Sequence, residues 1–93
     1  MIRYERVKCA DGFSMSVQAN FGAYCEPRED NALEYEEVEV GYPSVVEPLL
    51  NKWAESPDRP TDTVYGYVPV DVVRAVILKH GGIVSGQIPP GVL

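Results

Sequence analysis

The sequence predicts an α+β domain: a mainly antiparallel sheet of four or five strands with two helices packed on one face, in the order β-β-β-α-β-α with room for a final strand. Three observations carry this. Phe13, Met15, Val17 and Ala19 alternate strictly with Ser14, Ser16 and Gln18, the period of a half-buried strand. Two later segments carry apolar stripes at helical spacing. The whole chain, 1–93, is of a size that makes one compact domain, with an ordinary apolar share of 45%.

The elements follow in order. "RYERVKC" (Arg3 to Cys9) supplies a first strand through Tyr4, Val7 and Cys9, whose phase slips near Glu5 and Arg6 and so predicts a bulge there. Ala10-Asp11-Gly12 turns the chain into the Phe13–Ala19 strand, since Gly accepts the positive φ that tight hairpins need. "NFGAYCEPREDNA" (Asn20 to Ala32) has no period and reads as a long loop with a short extended piece around Tyr24. "EYEEVEV" (Glu34 to Val40) is a third strand, ended by Gly41-Tyr42-Pro43. Ser44 and Glu47 fit a capping box ahead of a first helix with the stripe Val45, Val46, Leu49, Leu50 and Trp53, and Pro48 stands in its first turn.

"SPDRPTD" (Ser56 to Asp62) is a proline-bearing loop, and "TVYGYV" (Thr63 to Val68) a fourth strand. Gly66, between Tyr65 and Tyr67, marks a close backbone approach or a bulge. Pro69 opens a second helix with Val72, Val73, Val76 and Ile77 inward. Lys79 and His80 favour its C-terminal dipole, and Gly81 or Gly82 caps it. "IVSGQI" offers a short edge strand, and "PPGVL" a tail that continues neither element.

Charge is distributed unevenly. The net charge is −6, and the segment Glu26 to Glu39 holds seven acids (Glu26, Glu29, Asp30, Glu34, Glu36, Glu37, Glu39) against the single base Arg28. The remaining seven acids and seven bases cancel, so this segment carries the whole net charge. Such a field disfavours direct contact with nucleic acid or anionic membrane, both of which recruit Lys and Arg. It favours a basic protein surface, or serves solubility. "MIRYERVK" lacks an apolar core for a secretion signal and no apolar run is long enough to span a bilayer, so a cytoplasmic location is expected.

Candidate chemistry is sparse. Cys9 and Cys25 match no redox spacing and read as small hydrophobes. His80 is the only histidine and cannot build a metal site of the usual type with those cysteines; a capping cation is the simpler reading. "HGGIVSG" follows a helix instead of opening one, so it is a C-cap and not a phosphate loop. No catalytic, metal or cofactor residue is predicted, and the protein is expected not to be an enzyme.

What remains is a surface. On the third strand Tyr35, Glu37 and Glu39 fall on one face and Glu36, Val38 and Val40 on the other, which predicts the first set outward. Carboxylates two residues apart on a strand stand about 6.8 Å apart, about two base-pair rises of B-DNA. Such a row suits a cleft built for phosphates, while an edge strand that uses charge against aggregation is the simpler alternative. Tyr65 and Tyr67 are expected on one face of the fourth strand, where they would widen a contact area. The candidate partner-binding set is therefore Glu29, Asp30, Glu34, Tyr35, Glu37, Glu39, Tyr65 and Tyr67.

The runs "VKCADGFSMSVQA", "VEVGYPS" and "TVYGYVPVDVV", with "KHGG" after them, resemble small acidic accessory proteins encoded by tailed bacteriophages. The resemblance covers most of the chain and carries no functional residues with it. It implies a context: compact phage proteins that bind and block host machinery, of which anti-CRISPR and other anti-defence inhibitors are the best-known class and share no common fold. The expected partner is then a basic, nucleic-acid-handling surface of a host defence complex. The alternative is a phage structural or assembly protein that self-associates, as a homodimer, through the Tyr65/Tyr67 face.

Overall fold

The computed structural model describes residues 2–93 and is α+β, built on a five-stranded antiparallel sheet in the order β4-β3-β2-β1-β5. The strands are β1 (Val7–Cys9), β2 (Ser14–Gln18), β3 (Glu37–Gly41), β4 (Val64–Pro69) and β5 (Ile83–Ser85). One α-helix, α1 (Val70–Lys79), packs into the core with Val73, Val76 and Ile77 buried. Each of those side chains contributes about 1.5–3 kcal/mol of burial.

The hairpin forms as its residues dictate. The Asp11 carboxylate accepts the Phe13 N–H at 2.9 Å, and the Gly12 N–H donates to the Cys9 carbonyl at 3.0 Å. This closes the turn and sets Val7 opposite Met15. Phe13, Met15, Val17 and Ala19 are all buried, so the period-two pattern is the core face. The phase slip at Glu5 and Arg6 has a different cause from a bulge. Ahead of Val7 the chain leaves the ladder, and the Gln18 amide takes over the pairing: it accepts the Tyr4 N–H at 2.8 Å and donates to the Tyr4 carbonyl at 2.7 Å. The irregularity on β1 lies between Lys8 and Cys9, where β5 pairs as the edge strand.

The first predicted helix is the main correction. Residues Pro48–Trp53 form a 3₁₀ turn, with only Leu50 fully buried. Val45, Val46 and Leu49 are exposed, so the apparent stripe is not a core face. Ser44 does not cap it. Its hydroxyl accepts the Ser14 N–H at 3.0 Å, and its own N–H donates to the Ser14 carbonyl at 2.8 Å. Glu47 is the cap instead, accepting the Leu49 N–H at 2.9 Å. Pro48 at the first position admits this start but donates no hydrogen bond.

β4 carries a bulge. Val38 pairs with Val68 and Val40 with Tyr65, so Gly66 and Tyr67 together stand opposite the single residue Glu39. The extra residue moves the alternation by one, and the inward residues become Tyr65 and Val68. The C-terminal tail is also structural. Val92 is buried, Arg74 donates to the Val92 and Gly91 carbonyls at 2.6 and 2.9 Å, and the Tyr35 N–H donates to Pro90 at 2.9 Å. Gly91 lies at φ +99°, and a Cβ there would stand 2.6 Å from the Tyr35 carbonyl oxygen, so only glycine fits.

Candidate functional site

The acidic segment is more concentrated in space than in sequence. The Asn20–Ala32 loop folds back along β3, held by Asn20, whose side chain donates to the Ile2 carbonyl and accepts the Gly22 N–H, both at 2.9 Å. Glu26 then forms a bridge with Glu37: its N–H donates to the Glu37 carbonyl at 3.0 Å, and its carbonyl accepts the Glu36 N–H at 2.8 Å. Glu26 and Glu37 thereby stand opposite each other, and Glu36 joins the same backbone seam through its N–H. Like charges on adjacent backbone repel. Among the described residues the ion pairs are Arg59–Asp62, Lys79–Glu47 and the two made by His80, so none of Glu26, Glu29, Glu34, Glu36, Glu37 or Glu39 is neutralised by one.

The predicted contact residues divide. The side chains of Glu29 and Glu34 are exposed, and Asp30, Glu37 and Glu39 are half-buried. Two of these carboxylates also hold the loop: Asp30 accepts the Phe21 N–H at 3.1 Å, and Glu39 accepts the Tyr24 N–H at 3.0 Å. Val38 and Val40 point inward as expected. Tyr35 does not point outward with Glu37. It precedes β3, is 1% exposed, and its hydroxyl donates to the Glu29 carbonyl at 2.6 Å. Strand alternation does not extend to a residue outside the strand.

Tyr65 is likewise in the core, fully buried, with its hydroxyl on the Pro60 carbonyl at 2.5 Å; burial pushes its pKa up. The bulge separates it from Tyr67, which is 42% exposed, so the two rings share no face. A self-association surface made of both does not exist in this fold.

Tyr67 instead meets Tyr24, a residue absent from the predicted set. Their ring centroids lie 5.9 Å apart at a 34° tilt, and the Tyr67 N–H donates to the Tyr24 carbonyl at 3.0 Å. Gly66 allows the approach, as its place in the sequence suggests: a Cβ there would stand 3.2 Å from that of Tyr24. With Trp53 and Glu55 these residues line an open groove of about 330 Å³. Tyr67 holds a φ of +54°, a left-handed conformation rare for a bulky side chain. The Arg28 guanidinium lies 5.5 Å from the Tyr24 ring centre and the Lys52 ammonium 5.0 Å from that of Trp53.

A second cluster lies at the C-terminal end of α1. His80 Nδ1 is 2.7 Å from Asp11 and Nε2 is 2.7 Å from Glu47. Phe13 stacks on the imidazole with centroids 4.0 Å apart. Two carboxylates on two ring nitrogens are both satisfied only by the imidazolium, which donates from each. Burial alone would lower the His80 pKa, but the hydrogen bonds to Asp11 and Glu47 outweigh it and hold it above the ordinary value. The Glu47 side chain is 1% exposed, a position that raises a carboxyl pKa, yet the Leu49 N–H, His80 and Lys79 together hold it below the usual range. Asp11 is lowered first by the Phe13 N–H and then by His80. Ser44, His80 and Asp11 share the lining of a cavity of about 270 Å³ beside this cluster. With both nitrogens engaged, His80 has none left to take a proton from Ser44.

His80 thus does more than cap a helix, and the partner that the sequence hides is Glu47, which arrives from the 3₁₀ turn. Cys9 and Cys25 are free, buried thiols whose pKa values burial raises. Among the described residues no group of three or more His, Cys, Asp or Glu could hold a metal ion, and no helix is long and apolar enough to cross a membrane. No protein-family model matches the chain, and comparison with curated proteins and with solved structures returns no match.

Proposed function

We propose that this protein is a non-enzymatic inhibitor that docks its acidic seam on a basic, nucleic-acid-handling surface of a bacterial complex. Its resemblance to small tailed-phage proteins makes the anti-CRISPR or anti-defence class the context for that activity. The observation that supports the reading best is the seam itself: Glu26, Glu36 and Glu37 are brought together by backbone pairing and, among the described residues, left without an ion-pair partner. Retained like charge of this kind raises the association rate with a basic surface and repels nucleic acid. A partner that normally holds phosphates would exchange them for these carboxylates.

The test is inhibition in a bacterial host with an active CRISPR–Cas system. Wild-type protein is expected to restore phage plating, and the Glu26→Lys/Glu36→Lys/Glu37→Lys variant to lose that ability while remaining folded by circular dichroism. Glu39 is left intact because its carboxylate holds the Tyr24 N–H. Undiminished inhibition by the reversed variant would remove the seam as the contact, and no inhibition by wild type would remove the anti-CRISPR reading.

A further inference from the structure

From the groove formed by Tyr24, Trp53, Glu55, Gly66 and Tyr67 we infer a binding site for an arginine side chain of a basic partner segment. This rests on the acidic-seam reading and gives the partner surface a specific chemistry. Three aromatic rings converge on one concavity, and each presents an electron-rich face that attracts cations. Two of those rings already carry a cation from the chain itself, Arg28 on Tyr24 and Lys52 on Trp53. Among the described residues no such cation lies on the Tyr67 ring.

The groove asks two things of an occupant, a contact for the Tyr67 ring and a partner for a carboxylate. Glu55 lines the groove, and Glu39, opposite Gly66 and Tyr67 in the sheet, reaches the Tyr24 N–H. A purely apolar group would cover Glu55 without giving its carboxylate a partner. A guanidinium satisfies both demands: its plane stacks on a ring and its N–H groups meet a carboxylate, and it gives up its weak hydration more readily than an ammonium does. The volume of about 330 Å³ lies at the small end of ligand sites, suited to one side chain.

The backbone carries a second, independent observation. Tyr67 is held at φ +54° by the bulge, which turns its ring out beside Tyr24. A non-glycine residue kept in that region inside a strand is a feature that clusters at ligand-contacting positions.

Two capped pentapeptides test this on the full chain: Gly-Arg-Gly-Arg-Gly and its lysine counterpart, equal in charge, titrated at low salt and followed by amide and indole NMR shifts. The arginine peptide is expected to bind about threefold more tightly. Its shifts should centre on Gly66, Tyr67 and the Trp53 indole N–H, and the arginine preference should vanish in Tyr67→Asn. Equal binding of both peptides with shifts confined to Glu26, Glu36 and Glu37 would overturn the groove and leave the seam standing. No binding by either would overturn the groove and speak against the seam as well. Shifts at the groove that grow with protein concentration alone would mean that a second copy of this chain fills it, which also overturns the assignment.

Discussion

The molecule treats charge in two opposite ways at two ends of one sheet. Around His80 every group is answered: Asp11 and Glu47 take its two nitrogens, Lys79 and the Leu49 N–H complete Glu47, and Phe13 covers the ring. Along the seam Glu26, Glu36 and Glu37 gather with no cation paired to them among the described residues. The first arrangement is self-sufficient and serves stability. The second costs repulsion and has no internal return, and under the proposed function its value lies in a basic surface that meets it from outside. Conspicuous titratable clusters are therefore not automatically the functional ones. The cluster that resembles an active site is internally satisfied, and the plain acidic strand is not.

The largest expected effect breaks the His80 end. Glu47→Ala removes a buried carboxylate and strands His80 and the Leu49 N–H, which should cost roughly 2–4 kcal/mol in urea denaturation. Lys79 adds little to that loss because it is half-exposed and finds water. Glu36→Lys in the seam should change stability by less than about 0.5 kcal/mol, or raise it by relieving repulsion. If the two substitutions cost the same, the contrast between the two ends fails.

A smaller effect follows from pH. His80 has its folded pKa raised, so its contribution is complete below the ordinary value of 6.5 and is lost as pH rises through the higher folded value. Glu47 has its folded pKa lowered, so its contribution is present above the ordinary 4.5 and is lost as pH falls through the lower folded value. Stability should therefore be highest between about pH 4.5 and 6.5, and the alkaline decline should disappear in His80→Gln. As the only histidine, His80 gives one imidazole NMR signal. A midpoint at or below 6.5 for that signal would contradict the geometry.

Local pattern made much of this fold legible. The Asp11-Gly12 turn, the Phe13–Ala19 alternation, the inward Val38 and Val40, the Pro69 start of α1 and the short β5 edge all follow from neighbours in sequence. Features that depend on distant partners were hidden. The stripe from Val45 to Trp53 has helical spacing but meets no apolar wall along most of its length, and it becomes a 3₁₀ turn. Tyr35 is buried by a tail that docks from Pro90 to Val92, and no local period announces that. Glu47 and His80 stand 33 positions apart and meet only once the sheet is formed. At the candidate groove Tyr67 and Gly66 were the visible signs: Tyr67 was expected to face outward, and the missing side chain of Gly66 announced a bulge or close approach but not that Tyr24 would be the neighbour.

The smallest expected effect on stability is also the most discriminating. Tyr67 is 42% exposed and sits at φ +54°, where asparagine is far better tolerated than an aromatic residue. Tyr67→Asn gives up the ring contact with Tyr24 but relieves backbone strain, and the two should offset to within about 1 kcal/mol. If the ring were there to hold the fold, as Tyr65 does from the core side of the same strand, its removal would cost more than about 2 kcal/mol. A flat urea midpoint with loss of the arginine preference would place Tyr67 with the seam, among the groups the fold presents outward. A large loss of stability would place it with Glu47 and His80, among the groups the fold has already used.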